Sequence, residues 1–560
     1  MKKILLLCII LFCAMMFVLV FGCVDDSENP SNTQKPSPEQ PPELVMGKAA
    51  NPLIKGDVPD PSILRVGNVY YMVSTTMHFT PVAPIMKSYD LINWRIIGYL
   101  DDIIDDIPNY RLETSNTARI GDYGRGQWAS SLRYHDGYFY AMYFNNQTTG
   151  KSYFYSNKDP ENNKWQRWTI DRSFHDPSLF YDETSEKYYI LYGQGISIIE
   201  MEPGWRGIKE GGIDKVIIPR DGSLTNGGSY GTIEGSQVYH RDGFYYIITI
   251  SITGGRRVIC SRSENIEGPY ETRLLLNKGL GSRSGGVAQG GLIETPDGNW
   301  YGFFFQDREA VGRVPVLVPM RWGDDGWPVF GDINGNIPEE FDIKLDNIYK
   351  QNIFISDEFN EKKLPLAWQW NHNPDNSKWS LTARPGFYRI TTGRVDKNIF
   401  WARNTLTQRT LEPACEGTIA LEPTSMKDGD TAGLWAMGPI GGYAGITQEN
   451  GEKFIVMNTI DYTRSGDILN EPTPSEKQRA AFTGNRVYIR LNFKFRAPGV
   501  PAETAFFSYS LDGESWQNIG TTINIQYNMS LFTGYRFGLF NYAAKEAGGY
   551  VDFDYYRLTQ

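Results

Sequence analysis

The sequence predicts an all-β protein, a five-bladed β-propeller followed by a β-sandwich of jelly-roll type. Three observations carry this. First, residues 50–330 lack helical periodicity and contain five similar aromatic runs: GNVYYMVSTT, DGYFYAMYF, SEKYYILYG, DGFYYIITIS and DGNWYGFFFQ. The last aromatic of each opening cluster is Tyr71, Tyr140, Tyr189, Tyr246 or Tyr301, giving gaps of 69, 49, 57 and 55 residues. Several short strands repeating at that period are the mark of propeller blades. Second, another short strand precedes each run, starting at Asp60, Ala129, Asp176, Glu234 and Gln289. Third, from about Ile353 the texture changes to longer alternating strands such as RVYIRLNFKF and GGYVDFDYYRL, which read as a sandwich.

Taken in order, the chain begins with Lys2 and Lys3, an apolar run over residues 4–22, and Cys23. This reads as a secretory signal over residues 1–22. Val20-Phe21-Gly22-Cys23 resembles a bacterial lipobox, which implies lipidation at Cys23 and a lipid-anchored place in the bacterial cell envelope, periplasmic or surface-exposed. A plain membrane anchor, or a signal cut elsewhere, is the alternative. Residues 23–48, rich in Pro, Ser and Gln, read as a disordered tether. The propeller is expected over 49–340 and the sandwich over 350–560.

Fifty-five basic against 65 acidic residues give a net charge of −10, with no basic block, which argues against nucleic acid as a partner. Five His and five Cys exclude a zinc cluster or a disulfide-dense scaffold. Cys260 and Cys415 read as buried thiols.

The innermost strand of each blade lines the central channel, so the five strand starts converge on one axis. Three of them, Asp60, Asp176 and Glu234, are acids. Acids are depleted in strands and repel when crowded, so a purely structural channel would use neutral groups. A hydrated channel mouth, or a cation held there, is the other reading. Glycoside hydrolysis needs this set: a protonated acid for the leaving oxygen, a charged carboxylate on the opposite face, and unlike pKa values for the two. A third acid can raise the donor's pKa by like-charge repulsion.

The motifs VPDPSI, HDPSLF and EGSQVY, with SYDLINW, WASSLRYHDGYFY, QGGLIETPDGNWY and VGRVPVLVP, resemble glycoside hydrolase family 43. The resemblance implies that Asp60 is the general base, Glu234 the general acid and Asp176 the group that tunes and orients the acid. It implies a substrate contact for Arg313. Trp128, His78 and Gln289 are further candidate substrate contacts. The resemblance also implies an inverting enzyme that releases terminal xylose or arabinose from oligosaccharides or polysaccharides of plant cell walls, with no cofactor required. Many members carry a histidine near Gln289 beside a central ion, and this chain does not, so a channel calcium would have to be held by hard oxygen ligands or waters. A structural calcium is allowed at Asp357 and Asp554. The C-terminal part resembles the concanavalin-like domain of such enzymes, and residues 403–410 are its candidate active-site loop. A fructan-type hydrolase and a non-catalytic glycan-binding surface lipoprotein are the rival readings.

Overall fold

The structure, a computed structural model, describes residues 41–560 apart from 114, 116–118, 147–149, 282–284, 466–467, 498–499 and 501. The expected signal peptide and Cys23 lie outside the described residues.

Five four-stranded antiparallel sheets follow one another along the chain: blade 1 (62–101), blade 2 (127–170), blade 3 (178–218), blade 4 (233–276) and blade 5 (287–330). The first strand of each is the innermost, namely Ser62–Val66, Gln127–His135, Ser178–Asp182, Ile233–Arg241 and Val287–Glu294. These five strands touch in sequence around a ring, the fifth against the first. Each repeated tyrosine sits opposite an inner-strand residue, Tyr71 on Leu64, Tyr140 on Arg133, Tyr189 on Phe180, Tyr246 on Tyr239 and Tyr301 on Ile293.

Apolar side chains on the blade faces bury against the next blade. Met142 and Phe154 of blade 2, for example, meet Leu179 and Ile190 of blade 3. Each such burial contributes about 1.5–3 kcal/mol. The ring is latched outside the blades. Leu44–Ala50 pairs with Glu340–Asp346, and Asn51 donates to the carbonyls of Leu317 and Pro338 at 2.8 and 2.9 Å. Residues 44–48, expected in the tether, are therefore strand, because a partner strand nearly 300 residues away satisfies their backbone.

The C-terminal part is a sandwich of an eight-stranded and a seven-stranded sheet. Ile419, Leu421, Leu434, Ile446, Ile489, Phe537 and Phe553 fill the space between them. The edge strand of the larger sheet, Phe79–Thr80, comes from the propeller and pairs with Gln369–Asn371. Thr80 Oγ1 also donates to the His372 carbonyl at 2.6 Å. One sheet thus spans both domains and fixes the sandwich over the active face.

Candidate active site

Strand register refines the sequence alignment. Asp60, Ala129, Asp176 and Gln289 each lie four residues before the partner of their blade's marker tyrosine. Glu234 lies five before Tyr239, so Gly235 holds the equivalent place and the strand bulges there. The backbone at this place is left-handed in four blades, with φ of 51° at Asp60, 46° at Asp176, 63° at Gly235 and 63° at Gln289. For a non-glycine residue that costs about 1–3 kcal/mol, a strain characteristic of functional sites. Gly235 is required twice over, since a Cβ there would lie 2.8 Å from the Gln289 side chain. Asp60 and Asp176 precede their strands, and Glu234 lies within its own.

The three acids form one cluster. Arg313 Nη1 donates to both oxygens of Asp60 at 2.8 and 3.0 Å, and Thr75 Oγ1 donates to Oδ2 at 2.7 Å. Gln289 Nε2 donates to Asp176 Oδ2 at 3.2 Å. His175 Nε2 lies 3.0 Å from Glu234 Oε2 and 3.8 Å from Asp176 Oδ1. Gln194 Nε2 donates to the same Glu234 oxygen at 3.0 Å. Arg313 and Gln289, expected to contact substrate, are thus the groups that hold Asp60 and Asp176.

Burial pushes Asp176 up to about 7, with Glu234 and Asp60 adding to the rise while His175 and Arg313 oppose it. His175 is pushed up to about 9, because Asp176, Glu234 and Asp60 outweigh the burial that disfavours its cation. Burial also acts to raise Glu234, but the His175 and Gln194 hydrogen bonds bring it below the ordinary glutamate value. These directions, Asp176 up and Glu234 down, are the reverse of the ordering expected from repulsion alone, and the groups share a proton between them. The reason is His175, whose positive charge sits against Glu234. Such a proton belongs to the coupled group and not to one residue.

The wall beside these acids is aromatic. The Trp128 ring, half-buried, lies 5.4 Å from Phe532 and 6.1 Å from the His175 ring. Phe532 belongs to the sandwich and also covers the Arg313 guanidinium at 4.5 Å. Buried Asp57 anchors its loop, accepting from Gly534 N at 2.9 Å and Arg313 N at 2.8 Å. The sandwich loop at the site is therefore 528–534. Within the expected segment 403–410, Leu406–Arg409 is an interior strand of the larger sheet, and Arg409 Nε donates to the Asp57 carbonyl at 3.0 Å.

His78 is fully buried among Phe79, Tyr123 and His372, and burial lowers its pKa well below the ordinary histidine value. It packs at the domain junction and is closed to a sugar, which corrects its expected role.

The ligating atoms of His175, Asp176 and Glu234 lie within 4.8 Å of one another, the one such group among the described residues. Three side-chain N–H groups already point into its carboxylates, so it is built as a hydrogen-bonded acid cluster. Deeper in the ring, the Arg133 guanidinium bridges three inner strands, donating to the carbonyls of Leu179 at 2.5 Å and Val238 at 2.9 Å. In the sandwich, Asp357 accepts from Trp368 Nε1 at 2.8 Å and Phe359 N at 2.8 Å, while Asp554 pairs with Arg486 at 2.6 Å. Both oxygens of Asp357 and Oδ2 of Asp554 thus have separate protein partners.

Carboxylates from three propeller blades, gathered beside an aromatic wall that a sandwich domain completes, define a glycoside hydrolase. Residues 49–328 match the family described as glycosyl hydrolases family 43, and residues 356–559 match the β-xylosidase C-terminal concanavalin A-like domain. The chain belongs to glycosyl hydrolases family 43 and is a glycosidase. It is similar to a β-xylosidase of Formosa agariphila, 28% identical over 91% of this chain and 90% of that one. It is also similar to a non-reducing end α-L-arabinofuranosidase of Bacteroides ovatus, 28% identical over 61% of this chain and 64% of that one. Among solved structures, a bifunctional GH43-CE protein of Bacteroides eggerthii superimposes with a TM-score of 0.83 at 42% identity. That match covers 92% of this chain, which spans only 64% of the Bacteroides eggerthii protein.

Sequence reasoning missed His175, Gln194, Asp57 and Phe532. A signal for the first was present, a histidine directly before the acid in HDPSLF. Phe532 carried none, because its position depends on how two domains dock.

Proposed function

We propose that this glycosidase releases single xylose or arabinose units from the ends of plant-cell-wall oligosaccharides or polysaccharides, with inversion at the anomeric carbon. The observation that carries this reading is the single cluster formed by Asp60, Asp176 and Glu234, walled by Trp128 and Phe532. In this reading, Asp60, fixed by Arg313 and Thr75, takes a proton from the attacking water. Glu234 gives a proton to the leaving oxygen. Asp176 holds negative charge near Glu234, which keeps the proton within the cluster until the bond breaks. Relatives named for both xylose and arabinofuranose release support a pentose without choosing between the two. Phe532 narrows the site from the sandwich side, which suits attack at a chain end.

A panel of aryl pentosides and hexosides, with the product anomer followed by NMR, tests the reading. Turnover of a xyloside or arabinofuranoside with the inverted anomer formed first is expected. Retention, or sugar binding without product, contradicts it. We further propose, on the motif ending at Cys23, that the enzyme is lipid-anchored in the bacterial envelope. Labelling with a fatty-acid analogue that is lost in Cys23→Ala is the expected result, and labelling that persists contradicts it.

A further inference from the structure

His175 enters the site directly before Asp176 and has no role in the scheme above. Its ring is held between Phe144 at 5.3 Å and Trp128 at 6.1 Å. Its Nε2 meets Glu234 Oε2 at 3.0 Å, and Gln194 Nε2 meets the same oxygen at 3.0 Å. Two N–H groups thus converge on one oxygen of Glu234. An oxygen already accepting two hydrogen bonds is a poor place for a proton, so the acid form carries its proton on the other.

We propose that His175 is a positioning residue that clamps Glu234 by Oε2, so that Oε1 carries the proton to the glycosidic oxygen. This rests on Glu234 being the general acid. In the step, the Oε1 proton passes to the leaving oxygen as the bond to the anomeric carbon breaks, and the electron pair stays on that oxygen. Asp60 takes a proton from the water whose oxygen bonds to that carbon. His175 gives up no proton, and its N–H stays on Oε2 throughout.

The clamp also carries charge. The acids facing His175 are Asp176 beside it, Glu234 from blade 4 and Asp60 from blade 1. Trp128 and Phe144 face it as neutral rings, and Arg256 and Arg313 act on Glu234 and Asp176. A cation at His175 favours the ionised form of Glu234. Removing it leaves Asp176 and Asp60 to hold the Glu234 proton more tightly.

Two variants separate clamp from charge. His175→Phe keeps a ring and loses the donor; His175→Gln keeps a donor and loses the charge. Both are assayed across pH on the pentoside the wild type cleaves, once with a sugar leaving group and once with dinitrophenolate, which needs no proton. His175→Phe is expected to lose about 10²-fold in kcat/KM with the sugar leaving group. The loss with dinitrophenolate should be smaller by about ten-fold or more, because acid catalysis is the part removed. His175→Gln should recover most of the loss, and in both variants the basic limb of the pH profile should move to higher pH. Equal losses on both leaving groups, or a basic limb that stays in place, overturn the proposal. If His175→Phe does not fold, the limb in His175→Gln decides alone. Glu234→Gln is run in parallel. Wild-type rates with the sugar leaving group in that variant remove Glu234 itself from the mechanism. Its loss there, combined with equal losses in the His175 variants, removes only the clamp.

Discussion

Blades 1, 3 and 4 differ from blades 2 and 5 less in backbone than in what one backbone place carries. Asp60, Asp176 and Gln289 share a register position and a left-handed φ, yet two are acids and one is an amide. Ala129 holds that position in blade 2. Blade 4 uses glycine there and brings its acid from one residue upstream. The repeat supplies five equivalent inward places, and chemistry follows from which receive a charge and which receive a group that holds one. Gln289 in blade 5 shows the second use, since its amide donates to Asp176 across the opening.

The largest effects should follow from removing charge at the reacting pair. Asp60→Asn and Glu234→Gln should each lower kcat/KM on an unactivated pentoside by about 10³-fold. Steady-state kinetics on folded protein, verified by circular dichroism, is the check. Rates within a few-fold of wild type in either variant would dissolve the distinction between the acid-bearing blades and the others.

Asp176→Asn should act more weakly, lowering the rate by roughly ten-fold or more. Its signature is in the pH profile. The negative charge of Asp176 makes it harder for Glu234 to lose a proton, so its removal should bring the basic limb down to lower pH. The His175 variants should move the same limb upward, because they remove a positive charge. A limb that moves the same way in both would mean that the two groups do not act on one proton.

Gln289→Met should give the smallest effect of this series, about a three-fold loss. It removes a neutral hydrogen bond to Asp176 and leaves every charge in place. A loss as large as that of Asp176→Asn would move blade 5 into the acid-bearing class. On the sandwich side, Phe532→Ala should raise KM by about two- to ten-fold with little change in kcat, as expected for losing one aromatic contact of about 0.5–1.5 kcal/mol. An unchanged KM would take the sandwich out of substrate binding.

The fold was legible because repetition writes itself into sequence. Five aromatic clusters at blade spacing mark five hairpins, and each marker tyrosine does pair with the inner strand. The three acids were legible because charge at strand starts is costly without a use. The one-residue offset of Glu234 was hidden, since a bulge changes register without changing residue types. Contacts made across elements were hidden too. His78 has the sequence setting of a site residue, yet it is sealed in because Phe79–Thr80 extends a sandwich sheet. Phe532 reaches the site from more than 200 residues beyond the last acid-bearing blade, through an anchor at Asp57 that no local pattern encodes. Asp357 and Asp554 were legible only as two acids, and their partners Trp368 and Arg486 were not.

A crystal structure of Glu234→Gln with an unhydrolysed pentose oligosaccharide addresses the convergence of the three blades most directly. The terminal pentose should lie against Trp128 and Phe532. Its anomeric carbon should sit between Asp60 and the side chain at 234, with a water on Asp60 opposite the leaving oxygen. A sugar bound elsewhere on the propeller, or with Asp60 and position 234 on the same side of its ring, would contradict the account.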